Sequence, residues 1–411
     1  MSQSLFQNRT EFFRLAGLCA IAFFCMLGYA WARSPIESVF LEDWGKDRLP
    51  LAWIGVALGA LATVSMWDRL ASRLSLPRLI FALSAGSCVG LAILLGAREA
   101  GVRQASFLAY IFKDLYIVLL VESFYAFANA TYPLKTARWA YGLFGVMASL
   151  GGRVGNKSLE ELASSMGSGR VPWLVLPTFL VVCFFVGWIS RGASESLRLK
   201  KDRPPGLIDA VRTVRSSRYL VWMVVLIASI QLATNLIDYV YQGALQEVFV
   251  LKDERTGISG DVYASIDDFT LALNLSAGVI LSRMGVSLTL LAIPFLVGLS
   301  AGLSLLIPGF FVLAICKVAN KAFDYSIFRV AKEALYLPLG IEQKTKGKAV
   351  VDVLTYRLAK GGASLLSFVL IVLGLQHGAM ALALLLMGIW LYATVRVLRK
   401  YQQLLDEQAK A

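Results

Sequence analysis

The most informative absence in this 411-residue sequence is charge. Lys, Arg, Asp and Glu together make up only 16% of the residues, against about a quarter in an average soluble domain. Hydrophobic residues make up 57%, and the mean hydropathy is +0.66. A composition of this kind excludes a soluble domain of this length, so the sequence predicts an integral membrane protein.

Residues that build metal and cofactor sites are also scarce. The single histidine, His377, lies in a short turn before the last apolar segment, where it is predicted to be a surface residue. All five cysteines lie inside apolar runs, which favours packing over disulfide bonds. The sequence contains no Walker loop, no paired metal-ligand spacing and no nucleophile elbow. We therefore expect no enzyme activity, no cofactor and no metal site.

Apolar segments of about 20 residues, the length that crosses about 30 Å of hydrocarbon, occur in two sets of six. They lie near residues 12–33, 50–70, 78–97, 105–129, 138–156 and 172–190, and then near 219–245, 260–283, 286–305, 307–330, 348–374 and 377–397. The first segment ends in Ala-Trp-Ala, as a cleaved signal would, but it is long for a signal and a charged motif follows it. We predict that it is a retained helix.

A polar, basic stretch broken by Pro204 and Pro205 separates the two sets. The predicted architecture is therefore an all-α membrane protein of the major facilitator type, with twelve transmembrane helices in two six-helix bundles. The predicted N-terminal bundle comprises residues 1–190, the basic cytoplasmic linker residues 191–218, and the C-terminal bundle residues 219–411.

Basic residues follow the second, fourth, sixth and tenth segments. Because short loops rich in Lys and Arg stay in the cytoplasm, both termini are predicted to be cytoplasmic. This asymmetry, together with anionic inner-leaflet lipid, accounts for most of the net charge of +13. The expected partner is the lipid bilayer, here a bacterial inner membrane. We expect no nucleic acid partner, and we expect a monomer.

A charged pattern recurs in the two halves of the sequence. The element ESFY at residues 122–125 is matched by EALY at residues 333–336. A basic residue followed thirteen positions later by a Gly-Gly pair occurs at Arg138 and again at Lys348. A parallel repeat of this kind is expected between the two halves of a major facilitator transporter.

Ionisable residues inside the apolar segments are the candidate functional residues, because charge in hydrocarbon is costly and marks a pathway for polar cargo. The predicted substrate-binding residues are Arg33, Glu122, Asp238 and Lys321. The predicted gating or coupling residues are Asp324, Lys348, Asp352 and Lys360. Lys and Arg form a large share of these charges and both bind phosphate or carboxylate, so the sequence predicts an anionic small-molecule substrate.

A structural role is the alternative for charges that lie near helix ends. The residues predicted to form ion pairs that hold helices together are Lys113, Arg153, Arg329 and Lys332. In the eleventh segment, Lys348 and Asp352 are four residues apart, so α-helical geometry predicts that they pair on one face. Such a pair would bias a gate, whereas Lys344 is assigned to the cytoplasmic loop.

Four motifs carry a resemblance to a known family. KEALYLPL at residues 332–339 and KGKAVVDV at residues 346–353 are similar to the motifs KEMAYIPL and KGKAxxDV. ESFYAFAN at residues 122–129 and NLID at residues 235–238 extend the similarity. The chain thus resembles the non-mitochondrial ATP/ADP antiporters, the nucleotide transporters of plastids and obligate intracellular bacteria. The resemblance implies a suspected nucleotide substrate and ATP:ADP exchange by alternating access.

The chain departs from that family at charged positions. The family's RDTKD is RSPIE at residues 33–37, so that Ile36 stands where the family has lysine. The family's KYSLFD is DYSIFR at residues 324–329, with both charges reversed. Two alternatives to nucleotide exchange therefore remain open, namely transport of another organic anion and a transport-inactive membrane scaffold.

Overall fold

A computed structural model describes residues 9–131, 134–190, 207–340 and 343–410. Within these ranges the regular elements are helices and no strand occurs. Eight helices of the described chain are long and apolar enough to cross a membrane. The predicted all-α membrane fold is confirmed, while the count of twelve spans stays a prediction.

The described helices of the first half are α1 (Arg9–Trp44), α2 (Leu49–Arg73), α3 (Leu76–Glu99), α4 (Gln104–Thr131), α5 (Leu134–Lys157), α6 (Leu159–Met166) and α7 (Val175–Ser190). Those of the second half are α8 (Leu207–Ser216), α9 (Arg218–Val248), α10 (Lys252–Leu306), α11 (Phe310–Tyr325), α12 (Ile327–Ala334), α13 (Tyr356–Val372) and α14 (Ala379–Lys410). Helix α8 lies within the predicted linker.

Helix α1 extends beyond the end predicted near residue 33. It continues through Pro35 to Trp44, so Arg33 and Glu37 lie inside the helix rather than after it. The predicted end was wrong because both charged side chains find partners on other elements of the same unit. Polarity at this point therefore does not require the helix to stop.

Two predicted spans meet inside α10. Gly285 has φ 71° and ψ 168°, a backbone conformation that glycine adopts without the steric cost of a Cβ. The break falls between the predicted segments 260–283 and 286–305, where the sequence reads Met284-Gly285. This glycine separates two helical stretches without an intervening loop.

The tenth and eleventh predicted segments are less regular. The tenth is broken at Ser326, which separates α11 from α12. The eleventh opens with π-helical turns at Gln343–Gly347 and Ala349–Thr355, before α13 begins. π-Helical turns are rare and occur mainly as short insertions, frequently at functional sites.

The chain forms two compact units. Unit 1 comprises Met1–Gly45, Leu58–Lys201 and Phe249–Asp268, and unit 2 comprises Lys46–Ala57, Asp202–Val248 and Phe269–Ala411. In unit 1, α1 packs against α4, α5 and α7, and in unit 2, α9 packs against α11, α13 and α14. Each unit includes a short segment from the other half of the sequence. The predicted bundle boundaries at residues 190 and 219 stay a prediction.

Glycines bring α1 and α5 close together. A Cβ atom on Gly151 would overlap the carbonyl oxygen of Phe23. A Cβ on Gly155 would lie 2.7 Å from the Cβ of Ala30. Small residues let helix backbones approach in membrane proteins, where packing rather than hydrophobic burial drives association. Gly151 is the first residue of the Gly-Gly pair found in the sequence repeat.

We predict that Gly151→Ala destabilises unit 1 by about 1–3 kcal/mol, because the new methyl group must displace backbone of α1. The thermal unfolding temperature of the detergent-purified protein should fall. Gly145→Ala is the matched control on α5, since a Cβ there meets no atom within 4 Å. Equal unfolding temperatures for the two variants would contradict the close approach of α1 and α5.

Candidate functional site

A carboxylate and two lysines meet between α9 and α11 in unit 2. The Asp238 carboxylate lies 2.7 Å from Lys321 Nζ and 3.6 Å from Lys317 Nζ. Lys317 and Lys321 are four residues apart on α11, so they share one face of the helix. The side chain of Lys317 is 1% exposed, that of Lys321 is 16% exposed and that of Asp238 is 20% exposed. Two lysines therefore lie beside one carboxylate.

Uncharged groups complete this cluster. Lys317 Nζ lies 3.9 Å from the centroid of the Tyr241 ring, where the ring face attracts a cation. The Thr234 hydroxyl donates a hydrogen bond to Asn320 Oδ1 at 3.3 Å. Asn320 is buried and lies on α11 between the two lysines. The cluster therefore combines cations, an aromatic face and amide groups, a combination that suits binding of an anionic organic molecule.

Lys113 of α4 is a buried cation in unit 1, with a side chain 1% exposed. Its Nζ donates to Glu37 Oε1 at 3.1 Å and to Asp114 Oδ1 at 2.9 Å. Tyr263 donates its hydroxyl to Glu37 at 3.4 Å, and Tyr29 donates to Asp114 at 3.2 Å. The predicted ion pairing of Lys113 is confirmed. This network fixes α1 and α4 to each other through charge.

Arg33 stacks on an aromatic ring in the same unit. Its guanidinium carbon lies 3.3 Å from the centroid of the Tyr263 ring. One guanidinium nitrogen donates to Asn156 Oδ1 at 3.5 Å. Arg33 is half-buried, and it is held here by an aromatic face and an amide. The excess charge of its guanidinium is therefore only partly compensated by these two contacts.

Adjacent carboxylates of α10 contact different residues of α5. Asp267 accepts a hydrogen bond from Asn156 Nδ2 at 2.9 Å, and Asp268 forms an ion pair with Arg153 at 2.5 Å. Neighbouring side chains on a helix point about 100° apart, which accounts for the separate partners. The predicted ion pairing of Arg153 is confirmed. Because this pair is half-exposed, it contributes little to stability.

Glu122 lies apart from these clusters. It is exposed, and it follows Lys113 by nine residues on α4, about 14 Å along the helix axis. Within the described residues no ion pair or hydrogen bond holds its carboxylate. Of the four predicted substrate-binding residues, the structure brings Asp238 and Lys321 into contact, while Arg33 and Glu122 belong to unit 1.

The KEALYLPL and KGKAVVDV motifs meet in a second charged cluster of unit 2. Lys332 Nζ and the Tyr336 hydroxyl donate to Asp352 Oδ1 at 3.0 and 2.9 Å. Lys348 Nζ donates to Glu333 Oε2 at 2.6 Å. The predicted ion pairing of Lys332 is confirmed. The predicted pairing of Lys348 with Asp352 was wrong, since each is bound to a residue of the KEALYLPL motif instead.

The physical reason for this exchange of partners is tertiary contact, because the KEALYLPL segment offers each residue an opposite charge. Lys332 lies against Asp352, and Glu333 lies against Lys348. Asp324 and Lys360, also predicted to act in gating, are half-buried, and their role stays a prediction. Arg329 is exposed, and its predicted pairing stays a prediction.

Charge-based reasoning missed the uncharged members of the sites. Tyr241 follows Asp238 by three residues, and Asn320 follows Lys317 by three, so both lie at helical spacing from charges already singled out. That spacing was the available signal. For Tyr263, which reaches Arg33 and Glu37 from a distant part of the chain, the sequence offers no local signal.

The helical fold is shared with solved secondary transporters. A POT family transporter, PepTSo, superposes with a TM-score of 0.70 at 14% identity, over 95% of this chain and 98% of that chain. A mutant of the nucleoside transporter NupG gives a TM-score of 0.68 at 10% identity, over 95% and 99%. The chain therefore shares the helical fold of these transporters.

The TLC ATP/ADP transporter family model matches residues 296–401. ADP,ATP carrier protein 2, chloroplastic, of Arabidopsis thaliana is 26% identical over 344 residues, which are 73% of this chain and 55% of that relative. ADP,ATP carrier protein 1 of Chlamydia trachomatis is 26% identical over 315 residues, 66% of this chain and 60% of the relative. The chain is thus similar to the ATP/ADP carriers, as its motifs predicted, and it spans less than two thirds of the length of these two carriers.

We predict that Lys113→Met destabilises the protein by about 3–5 kcal/mol, because it leaves Glu37 and Asp114 without their buried cation. Thermal unfolding in detergent measures the effect. Lys157→Met is the control, since it removes a half-exposed pair with Asp261 that contributes about 0–1 kcal/mol. Combining Lys113→Met with Glu37→Gln and Asp114→Asn should recover much of the loss. Similar unfolding temperatures for the two single variants would refute a stabilising role of Lys113.

Proposed function

We propose that the protein is a secondary transporter that exchanges nucleotides of the ATP/ADP type across a bacterial inner membrane by alternating access. The observation that carries this proposal is the lysine pair of α11 beside Asp238. It lies within the region that matches the ATP/ADP transporter family. Carriers of Chlamydia trachomatis and Rickettsia typhi are among the relatives, which supports a bacterial membrane. A monomer with both termini in the cytoplasm completes the proposal.

In this mechanism the cargo phosphate replaces Asp238 as the partner of Lys321. An ammonium group binds phosphate through charge-assisted hydrogen bonds and acts as a point charge that tolerates different orientations. Asp238 holds the lysines when no cargo is bound, so neither lysine is left in apolar surroundings without an anion. Because one anion is exchanged for another, the desolvation of the site changes little.

Arg33 and Glu122 are proposed to contribute from unit 1. The Arg33 guanidinium is oriented by the Tyr263 ring and by Asn156, and its Nε has no hydrogen-bond partner among the described residues. Glu122 is an exposed carboxylate in an otherwise apolar helix. We assign it a coupling role, because an intramembrane carboxylate without an ion pair among the described residues is available to a proton or to a cation.

The second charged cluster is proposed to act as a gate. The partners Lys332 and Asp352, and Lys348 and Glu333, come from two short segments joined by π-helical turns. Ion pairs of this kind stabilise one conformation of a transporter. In the other conformation, the same side chains contact solvent or cargo instead. Asp324 and Lys360 are proposed to take part in the same rearrangement.

A second candidate is a carrier of a less highly charged organic anion. Ile36 is apolar and 3% exposed where the resembling family has lysine. Asp238 also compensates half of the charge of the α11 lysine pair. Fewer uncompensated cations suit a cargo with one or two negative charges better than a triphosphate.

We predict that proteoliposomes loaded with ADP take up labelled ATP in exchange, and that Lys321→Ala raises the KM for ATP at least tenfold. Lys344→Ala is the control, because this lysine is assigned to the cytoplasmic loop and should change only expression or topology. Exchange of another organic anion without ATP exchange would support the second candidate. No exchange with any anion tested would reject both and favour a membrane scaffold.

Asp352→Asn is predicted to lower the turnover number severalfold while the KM changes less than twofold. The substitution weakens the bonds from Lys332 and Tyr336, which belong to the gate rather than to the cargo site. Exchange rates measured across a range of ATP concentrations separate the two constants. A larger effect on the KM than on turnover would move Asp352 from the gate to the binding site.

A further inference from the structure

Two buried asparagines beside the lysine pair carry unused hydrogen-bonding atoms. Asn320 is 2% exposed and Asn235 is 7% exposed. Asn320 Nδ2 and Asn235 Oδ1 find no hydrogen-bond partner in the described part of the chain. Native proteins satisfy nearly all buried polar side-chain atoms, so each exception calls for an explanation, such as a group supplied by a ligand.

Both asparagines lie close in sequence to residues of the charged cluster. Asn320 lies three residues after Lys317 and directly before Lys321 on α11. Asn235 lies three residues before Asp238 on α9, so helical spacing places it on the same side as that carboxylate. Asp238 Oδ1 lies 3.6 Å from Lys317 Nζ in an ion pair. One unused donor and one unused acceptor, both on asparagines, therefore lie beside the lysine pair.

The Asn320 amide contacts Thr234 through its oxygen in this structure. The Thr234 hydroxyl donates to Asn320 Oδ1, and Asn320 Nδ2 finds no partner among the described residues. An amide nitrogen donates and an amide oxygen accepts, so Asn320 and Asn235 together offer one donor and one acceptor. This pattern complements an uncharged group that both accepts and donates, such as a hydroxyl or the edge of a base.

We propose that Asn235 and Asn320 form a neutral subsite, which binds the uncharged polar part of a phosphate ester while Lys317 and Lys321 bind its phosphate. The inference rests on the proposed transport function and narrows its substrate class. The cargo is a phosphorylated metabolite whose organic part bears hydroxyl or base groups close to the phosphate. Inorganic phosphate and pyrophosphate would leave both amides unpaired, and a site that hydrogen-bonds a group discriminates strongly against analogues that lack it.

The test compares two ligands that differ only in the organic part. ADP and pyrophosphate are titrated against the purified protein in detergent, and the dissociation constants are measured calorimetrically. Asn320→Leu and Asn235→Leu should each weaken ADP binding at least tenfold and change pyrophosphate binding less than twofold. Asn274→Leu, at an exposed position of α10 in unit 2, is the control and should leave both constants unchanged.

The remaining outcomes of these titrations reject either the subsite or the proposed transport function. Equal losses for ADP and pyrophosphate, or unchanged ADP binding in both variants, would overturn the subsite while the transport proposal stands. If the unaltered protein binds no ADP, nucleotide transport is rejected, and the same comparison with glucose 6-phosphate and inorganic phosphate decides the subsite. A protein that binds none of the four ligands overturns both. Asn320→Ala and Asn235→Ala replace any leucine variant that fails to fold.

Discussion

A charged side chain inside hydrocarbon needs a partner of opposite charge or several polar contacts, and this requirement determines the interior contacts of both units. In unit 1, Lys113 lies against Glu37 and Asp114. In unit 2, Asp238 lies against Lys317 and Lys321. The first cluster has two carboxylates for one lysine and fixes helices. The second has two lysines for one carboxylate, a ratio that suits an anionic cargo.

Asp238 thus has a dual position in the proposed transport cycle. As the partner of two lysines, it reduces the free-energy cost of burying their charges when no cargo is bound. As a competitor of the cargo, it also limits how tightly any anion binds, because each bound phosphate must displace a carboxylate. A carrier benefits from such a balance, since a substrate held too firmly would not be released on the other side of the membrane. The asparagines beside the site would then supply selectivity without adding charge.

The fold class was predictable because hydropathy and loop charge are properties of single segments, as in the apolar runs that became α3 and α7. Charged candidates were also predictable, and Asp238 with Lys321 were found in contact. Contacts between residues that lie far apart in the sequence could not be predicted. Lys348 and Asp352 were assigned to each other by α-helical spacing, but each pairs with a residue of the KEALYLPL segment, 15 and 20 residues earlier in the chain. Likewise, Arg33 meets Tyr263, 230 positions later in the chain, through tertiary packing alone.

The burial of Lys113 has a consequence for how the chain enters the membrane during synthesis. A lysine or an aspartate at the centre of a helix raises the free energy of insertion by about 2.5–3.5 kcal/mol, and α4 carries both in sequence. Glu37, the second partner of Lys113, lies on α1, which leaves the ribosome first. If α1 is still beside the insertion machinery when α4 emerges, the two can enter lipid with their charges already matched. The order of helices along the chain would then be part of what makes these charges tolerable.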